Sequence, residues 1–501
     1  MANPQVLIVG AGPTGLVLAL WLARKGVPFR IVDKAAGPGL TSRATVVQAR
    51  TLEFYRQLGF AEEVRAKGIE LPGFQLWERG EIQAKAEFGD LAQGASPFSL
   101  PLSFPQDDHE RLLIEKLAAE GIVVERGTEL TGLVEEGEVV RASLRKGNVD
   151  ETVEVAYLCG CDGASSAVRH ALGIGFPGGM YDQVFYVADA EVSGAVAESE
   201  NLNLCLGEDG LGLCFPVRSS GMHRLIGIVP PEARGNREIG FDDIRASVES
   251  SMNLQVRDVH WFSSYRVHHR VAESFQRGRC FLLGDAGHIH SPVAGQGMNT
   301  GIGDAVNLAW KLADVLQGRA GTVLLDSYQP ERIAFARELV SSTDRVFRAM
   351  VGRNAASRLL RTWLVPNVVP LALGLSAVRR TMFNIISQTR IQYGASPLSR
   401  GRAGTIHGGQ RLPWVKTADF DNTEPLQSLE WQIHVFGFGS EHLDHLGFPV
   451  HRFSWCEEAE AAGFSAGAAY LIRPDGHVAY AEPEGSADAI RAYWEEILTR
   501  S

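Results

Sequence analysis

The first thirty residues combine short apolar runs with one glycine-rich turn. The run from Val6 to Val9 is continuously apolar, which is typical of a parallel strand buried on both faces. The segment from Leu16 to Lys25 is apolar and compatible with a helix, and Gly26 is suited to end it. A second short run leads from Phe29 to Asp33. The pattern predicts a strand, a tight turn, a helix and a second strand.

Between residues 181 and 268 apolar and polar residues alternate, as they do in strands with one buried face. Glu208, Asp209 and Gly210 form a hairpin turn signal within this region. We therefore expect a mostly antiparallel sheet domain here, inserted into the part that begins at the N-terminus. The alternating segments begin at Val184, Leu202, Leu213 and Leu225.

A further domain is predicted from about Gly401 onward. It contains an apolar strand, Gln432 to Phe436, and a hairpin whose turn is Pro474, Asp475 and Gly476. The pattern resembles a thioredoxin-like domain without the CxxC motif, so we expect packing or dimerisation and no dithiol chemistry. The final helix has one apolar face, made of Ile490, Tyr493, Trp494, Ile497 and Leu498.

Composition narrows the class of protein. The 501 residues correspond to about three domains, and the net charge of −11 disfavours a protein that coats nucleic acid. Six cysteines are too few for a disulfide scaffold. The apolar stretch from Trp363 to Val378 contains two prolines and is too short to span a membrane, and the N-terminus lacks the features of a signal peptide. We expect a cytoplasmic protein with no nucleic-acid partner and no membrane span.

The turn after the first strand has the spacing GxGxxG. Gly10 permits the tight turn, Gly12 lets the backbone approach a pyrophosphate, and Gly15 lets helix and strand pack closely. Asp33 follows Gly15 by 18 residues, where a carboxylate can accept hydrogen bonds from a ribose. The turn therefore predicts a dinucleotide site without deciding between NAD and FAD. Its remaining candidate residues are Pro13, Thr14 and Lys34.

Two later segments identify the cofactor. One is a short apolar strand that leads into Asp162-Gly163, and the other is a strand that leads into Gly284-Asp285 and a glycine-rich loop. With GxGxxG, and in this order, they resemble the flavoprotein aromatic hydroxylases, the single-component FAD monooxygenases typified by para-hydroxybenzoate hydroxylase. The resemblance covers residues 5–395, and the C-terminal part resembles the extra domain of the phenol and polyketide hydroxylase branch.

The resemblance implies a role for each matching residue. It places Asp285 on the ribityl chain of FAD and makes Asp162 and Arg169 a motif that serves both FAD and NAD(P)H, although such a pair also braces turns. It also implies cofactor contacts for Arg43 and Gln106, and a backbone contact for Leu130. Gly284, beside Asp285, is a further cofactor-binding candidate. The residues that would shape the loop beside the flavin ring or begin a helix that points at it are Pro292, Gly295, Gly297, Met298 and Asn299.

Three residues are candidates for the reaction itself. The resemblance implies that the carbonyl of Pro292 contacts the substrate and that Arg43 lies near the pyrophosphate and flavin. Arg224 loosely resembles an arginine that biases the position of the flavin. We expect no metal, because the histidine pairs 268–269 and 288–290 have no acidic or cysteine ligand at a fitting offset.

The predicted fold is therefore an α/β multidomain protein. A Rossmann-like FAD-binding domain comprises residues 1–180 and 269–400, a substrate-binding sheet domain comprises 181–268, and a thioredoxin-like domain comprises 401–501. No second GxGxxG follows a strand, so the sequence resembles enzymes in which NADH or NADPH reduces the flavin without a separate nicotinamide domain.

The resemblance implies an FAD-dependent monooxygenase in which NAD(P)H reduces FAD and a flavin hydroperoxide hydroxylates a phenolic or polycyclic aromatic ring. Its expected partners are the aromatic substrate, dioxygen and NAD(P)H, with the chain a monomer or a homodimer. Two alternatives remain open. The same fold supports a dehydrogenase or reductase, or a Baeyer–Villiger or epoxidising relative. The chain could also be a non-catalytic FAD-binding scaffold.

Overall fold

The structure is a computed structural model that describes residues 3–39, 44–78, 80–91, 94–207, 210–218, 221–233, 239–290, 295–351, 368, 376–438 and 441–498. Arg43, Pro292, the predicted turn residues Glu208 and Asp209, and most of the apolar stretch that begins at Trp363 lie outside the described residues.

Helices and strands are numbered separately along the described residues. The helices are α1 Pro13–Arg24, α2 Ala49–Gln57, α3 Ala61–Lys67, α4 Phe88–Leu91, α5 Gln106–Ala119, α6 Ala167–Ala171, α7 Arg245–Met252, α8 Gly297–Leu316, α9 Val323–Asp326, α10 Tyr328–Val351, α11 Ser376–Ile386, α12 Glu457–Ala461 and α13 Ala487–Leu498. The strands are β1 Val6–Val9, β2 Phe29–Asp33, β3 Val46–Val47, β4 Ile69–Glu70, β5 Gly73–Glu78, β6 Glu81–Glu87, β7 Leu102–Ser103, β8 Glu125–Arg126, β9 Thr128–Glu136, β10 Val139–Lys146, β11 Val149–Val155, β12 Tyr157–Gly160, β13 Gly178–Ser193, β14 Leu202–Gly207, β15 Gly210–Pro216, β16 Met222–Ile228, β17 Gln255–Val271, β18 Gln276–Arg277, β19 Cys280–Leu282, β20 His288–Ile289, β21 Arg400–Ala403, β22 Ile406–His407, β23 Gln432–Phe436, β24 Val450–Phe453, β25 Ala469–Ile472 and β26 Val478–Glu482.

The first sheet is a mostly parallel one whose strands run in the order β18, β19, β12, β1, β2, β8. Strand β1 lies at its centre and pairs in parallel with β12 and β2. Its residues Val6, Leu7 and Ile8 are fully buried, in one core cluster with residues of α1, of α8 and of β10. The predicted strand, turn, helix and strand at the N-terminus are confirmed, with the helix beginning at Pro13.

The second sheet has the strand order β20, β17, β13, β16, β15, β14, β5, β6. Its long strands β13 and β17 pair antiparallel, as the alternating pattern predicts. The outer pair, β5 and β6, comes from residues 73–87, which the alternating pattern of 181–268 does not include. Strand β5 joins through a parallel pairing with β14, a contact between segments more than a hundred residues apart.

The C-terminal part forms a third sheet, in the order β22, β21, β26, β25, β23, β24. Strand β23 pairs in parallel with β24 and antiparallel with β25, a mixed arrangement in agreement with the thioredoxin-like pattern. Helix α13 covers this sheet with Ile490 and Tyr493, both buried. The prediction of an α/β multidomain fold is confirmed.

Buried ion pairs join the C-terminal part to the helices that support the first sheet. Glu331 on α10 accepts hydrogen bonds from Arg473 at 2.7 Å and from Lys311 on α8 at 2.8 Å, and all three side chains are fully buried. Although burial alone would raise the pKa of Glu331, the positive charges of Arg473 and Lys311 hold it below its ordinary range. Contacts between oppositely charged side chains therefore join the C-terminal part to α8 and α10.

A second carboxylate at the junction is Glu53 on α2. It binds Arg411 from the C-terminal part and Arg50 from its own helix, and it also accepts a hydrogen bond from Ser96 at 2.6 Å. Burial would raise its pKa, but Arg411 and Arg50 lower it to about 2. A carboxylate whose pKa falls on folding stabilises the protein above its unfolded pKa, and this contribution is lost as the pH drops toward the folded pKa.

We predict that Glu53→Gln lowers the stability at neutral pH by about 3 kcal/mol, because two buried arginines lose their counter-charge. The difference in melting temperature between the variant and the wild type should shrink as the pH falls from about 5 to about 3. Thermal unfolding followed by circular dichroism at several pH values measures it. Glu62→Gln, which removes an exposed i,i+3 pair with Arg65, is the control and should behave like the wild type. A pH-independent difference for Glu53→Gln would contradict the prediction.

Candidate active site

The turn between β1 and α1 contains three glycines with different surroundings. Gly10 has φ +104°, and a Cβ there would lie 2.6 Å from the carbonyl carbon of Cys161, which no real side chain tolerates. A Cβ on Gly15 would collide with the carbonyl group of Gly10. A Cβ on Gly12 would meet no atom within 4 Å. Gly10 and Gly15 therefore allow backbone segments to pack closely, whereas Gly12 borders the open space in which a ligand can approach the backbone.

Helix α1 presents an unobstructed N-terminus to this space. Its N-cap is Gly12, which has no side chain to cap the first turn, and no acidic residue lies in that turn. Pro13 occupies the first position, where its missing N–H costs nothing. Free N–H groups and the positive end of the helix dipole make this a site for an anion such as a pyrophosphate.

Asp33 holds the same turn from the end of β2. Its Oδ2 accepts a hydrogen bond from the backbone N–H of Ala11 at 2.7 Å. Arg126, at the end of β8, places Nη1 3.5 Å from the Asp33 carboxylate, and its Nη2 is buried without a partner among the described residues. No sequence motif indicates Arg126, because β8 has only two residues. Lys34 is exposed in the bend after β2.

The Asp162-Gly163 turn follows β12. The Oδ2 atom of Asp162 accepts from the backbone N–H of Val168 at 3.1 Å, whereas its Oδ1 atom is buried and has no partner among the described residues. Arg169 donates to the carbonyls of Ala286 and Ala164, both at 2.9 Å. Arg169 therefore braces this turn against the Gly284-Asp285 turn, and Asp162 retains a buried acceptor for a ligand.

The Gly284-Asp285 turn follows β19 and lies next to α1 and α8. Gly284 has φ +59°, and a Cβ there would lie 2.7 Å from Oγ1 of Thr14. A Cβ on Gly301 of α8 would lie 3.1 Å from the Cα of Gly284. The two glycines thus let three segments meet around Thr14, and Asp285 is exposed beside them.

The N-terminus of α8 is fixed by Asn299. Its Nδ2 donates to the carbonyls of Val46 and Gly295, both at 2.9 Å, and its Oδ1 accepts from the backbone N–H of Gln48 at 2.9 Å. Asn299 is buried, whereas Gly297 and Met298 are half-buried. The first turn of α8 carries no acidic residue, so its positive end is unshielded on the side that holds Gly297.

Helix α5 packs against α1, the helix that follows the GxGxxG turn. Its first residue, Gln106, is half-buried; its backbone N–H donates to Ala44 at 3.0 Å, and its Nε2 donates to Glu110 at 2.8 Å. Glu110 also accepts from the backbone N–H of Gly39 at 3.0 Å. Both residues thus hold the described ends of the segment that contains Arg43. Leu130 is buried in β9.

The second sheet turns an apolar wall toward these segments. Arg224, Ile226 and Ile228 alternate along β16 and so share one face. Arg224 is fully buried, with a bidentate ion pair to Asp189 at 2.6 and 2.8 Å, and it also contacts Thr45. The other members of the wall are Phe185, Leu211, Leu213 and Phe215.

The wall joins the N-terminus of α8 through Val46. The Val46 side chain packs in one cluster with Phe215 and Ile226, and a Cβ on Gly295 would lie 3.1 Å from that of Val46. Five of the predicted cofactor segments therefore converge on one region: the GxGxxG turn, the Asp162 and Gly284 turns, α5 and the start of α8. The wall borders it.

The family model described as the FAD binding domain matches residues 3–343 of this chain. A 6-methylpretetramide 4-monooxygenase from Streptomyces rimosus is 37% identical over 81% of this chain and 73% of its own. A dialkyldecalin synthase from Streptomyces rugosporus is 31% identical over 98% of this chain and 99% of its own. The solved structure of an anhydrotetracycline hydroxylase from Streptomyces rimosus superimposes with a TM-score of 0.79 at 27% identity, over 99% of both chains.

The different surroundings of the glycines predict different outcomes for three alanine substitutions. Gly12→Ala should fold like the wild type and bind FAD at least tenfold more weakly, because its methyl group enters the open space. Gly10→Ala and Gly15→Ala should lower the melting temperature, because their methyl groups collide with backbone. Fluorescence titration of the apoprotein with FAD and thermal unfolding measure the two effects. A Gly12→Ala variant with unchanged FAD affinity would contradict this assignment.

Proposed function

The chain belongs to the FAD binding domain family, and we propose that it hydroxylates a fused-ring aromatic substrate at the surface between the apolar wall and the start of α8. It is an FAD-dependent, NAD(P)H-consuming monooxygenase of aromatic compounds. When bound, FAD supplies the activation of dioxygen. The length of the apolar wall is the observation that supports the proposed substrate class.

The wall has two apolar clusters, one at each end. Ile226 and Phe215 pack with Val46 beside α8, and Ile228 packs with Phe185 farther away. Arg224 to Ile228 spans five residues of a strand, a distance of about 13 Å. A single phenol ring covers one cluster, whereas a fused-ring molecule covers both and buries more apolar surface. The related monooxygenase and hydroxylase named above act on 6-methylpretetramide and anhydrotetracycline.

The protein's own groups would bind and orient the cofactor. In our proposal, the N-terminus of α1 holds the pyrophosphate, Asp33 the adenosine ribose, and Asp285 with Asp162 the ribityl side. Helix α8 directs its positive end at the flavin, where it stabilises negative charge. The remaining cofactor contacts in this proposal are Gly10, Gly12, Pro13, Thr14, Gly15, Lys34, Arg43, Gln106, Leu130, Arg169, Gly284, Pro292, Gly295, Gly297, Met298 and Asn299.

Arg224 would act at the boundary between the wall and the cofactor. Its charge is balanced by Asp189, so the wall presents no net charge at this end to an apolar ring. Its contact with Thr45 couples β16 to the segment that contains Arg43. We assign Arg43 and Arg224 to flavin positioning, and the carbonyl of Pro292 to the substrate.

We propose that residues 1–180 and 269–400 form one domain, 181–268 a second and 401–501 a third, with β5 and β6 of the first domain extending the sheet of the second. We also propose a cytoplasmic location, in which the cysteines stay reduced. Each of the six cysteines is free. Among the helices that the structure describes, none is both long and apolar enough to cross a bilayer. Aromatic substrate, NAD(P)H and dioxygen would be the partners of a monomer or homodimer.

Isotope labelling tests the proposed reaction. The holoenzyme is supplied with NADPH or NADH, labelled dioxygen and aromatic substrates of one to four rings, and products are analysed by mass spectrometry. We expect a product that contains one labelled oxygen atom per substrate molecule. Product formation without label would favour a dehydrogenase, or a ring-forming activity like that named for the dialkyldecalin synthase. Failure of NAD(P)H to reduce the flavin with every ligand tested would favour the scaffold alternative.

The wall predicts a size-dependent effect of Ile228→Trp. The larger ring should fill the cluster that is farther from α8, so kcat/KM for fused-ring substrates should fall at least tenfold while that for single-ring phenols changes little. Ile228→Leu, which conserves volume, should leave both values near those of the wild type. Steady-state NAD(P)H oxidation with product quantification measures the ratio. An equal loss for both substrate sizes would contradict the proposed substrate class.

A further inference from the structure

A buried carboxylate, Asp304 on α8, lies beneath the Gly284-Asp285 turn. Its Oδ2 accepts a hydrogen bond from the backbone N–H of Gly284 at 2.9 Å and lies 2.7 Å from Nε2 of His288. Its Oδ1 accepts from Nε of Arg332 at 2.6 Å. Asp304 is fully buried. One carboxylate thus holds both ends of the segment 284–288.

The partners of Asp304 keep it ionised. Burial alone would raise the pKa of Asp304, but the guanidinium of Arg332 and the hydrogen bond with His288 lower it below its ordinary value. An ionised acceptor makes stronger hydrogen bonds than a neutral one. Gly284 therefore keeps its left-handed φ of +59° by a charge-assisted bond from its own N–H.

Arg332 donates two further hydrogen bonds besides the one to Asp304. Its Nη1 donates to the hydroxyl of Tyr393 at 2.9 Å, and its Nη2 donates to the carbonyl of Thr300 at 3.1 Å. A Cβ on Gly303 would lie 3.3 Å from Nη2 of Arg332, so this glycine leaves room for the guanidinium. The side chain of Arg332 can hardly move without a shift in α8.

Tyr393 connects this arrangement to the C-terminal part. Its ring lies 4.5 Å, centroid to centroid, from that of His477, which stands beside Asp475 at 3.2 Å. Continuous contacts therefore run from the C-terminal sheet through Tyr393, Arg332 and Asp304 to the backbone of Gly284.

We propose that Asp304 and Arg332 are positioning residues for FAD, which act through the Gly284-Asp285 turn, and that Tyr393 makes the C-terminal part a support of that turn. The turn is braced on its other side by Arg169, which donates to Ala286. Loss of Asp304 would release the turn while β19 stays in its sheet. This assignment rests on FAD binding and does not depend on which substrate is hydroxylated.

The test compares two buried aspartates of one helix. Asp304→Asn keeps the size of the side chain and removes the charge that Arg332 faces. Asp314→Asn is the matched control, because Asp314 is also buried on α8 but pairs with Arg319 at 2.6 Å and Trp431 at 2.9 Å, away from the turn. For both variants the FAD dissociation constant, the visible absorption and circular dichroism of the bound flavin, its midpoint potential and the melting temperature are measured.

We expect Asp304→Asn to raise the dissociation constant of FAD by about 10- to 100-fold, the range that corresponds to the loss of a charged hydrogen bond. The flavin bands should shift, and the midpoint potential should rise because the negative charge behind the Gly284-Asp285 turn is removed. Asp314→Asn should lower the melting temperature and leave FAD affinity and spectrum unchanged. Lower melting temperatures for both variants, with FAD binding and spectra as in the wild type, would overturn the proposal.

Tyr393→Phe keeps the proposal testable if Asp304→Asn does not fold. It removes only the hydroxyl that Arg332 contacts, and we expect FAD to bind about 2- to 10-fold more weakly. In the double variant the two effects should not add, since Tyr393 acts on the turn through Arg332 and Asp304. Unchanged FAD affinity in Tyr393→Phe would refute the support by the C-terminal part. A wild type that fails to bind FAD would instead contradict the cofactor assignment.

Discussion

The closeness of α1 to the ends of β1 and β12 is the constraint on which the rest of the site depends. The first turn of the helix passes so near to the carbonyl of Gly10 that no Cβ fits at Gly15, and the turn at Gly10 lies so near to the carbonyl of Cys161 that no Cβ fits there either. Because the backbones touch, the helix N-terminus points into the space above the strand ends without a side chain in between. In open α/β sheets, ligands bind outside the carboxyl ends of the strands. The contact between α1 and the strand ends therefore also limits where the other segments of the site can lie.

The second glycine contact extends this constraint to segments far apart in the chain. Thr14, on the first turn of α1, is enclosed by Gly284 and Gly301, which come from a strand end and from α8. The position of α1 thereby fixes the start of α8. Asn299 connects the start of α8 to Val46 by a hydrogen bond, and through Val46 to the apolar wall. The candidate site is a set of backbones in contact, with side chains such as Asp162 and Asp285 at its margin.

Local pattern was sufficient for the parts of the site that are local in sequence. The β1–α1–β2 unit follows from a short apolar run, three glycines and Asp33, since each residue acts on neighbours within one turn or strand. The pairing of β5 with β14 has no such signal, because a parallel register between distant segments leaves no mark on either one. The pairing of Arg332 with Asp304 leaves no mark in the sequence either. Charged residues in a helix normally indicate a solvated face, and only the fold shows that these two are opposite each other.

Buried charged side chains join α8 and α10 to the C-terminal part. Removing charges from water costs so much that an apolar contact of the same size is often equally stable, so stability alone does not account for Glu331, Arg473 and Lys311. An ion pair differs from an apolar contact in that it accepts one orientation and one set of partners. At this junction the orientation matters, because Glu331 is the chain neighbour of Arg332, and Arg332 reaches the Gly284-Asp285 turn through Asp304. In our proposal the C-terminal part, which lacks CxxC, has this physical role: its charges orient α10 beside α8 and thereby support the Gly284-Asp285 backbone.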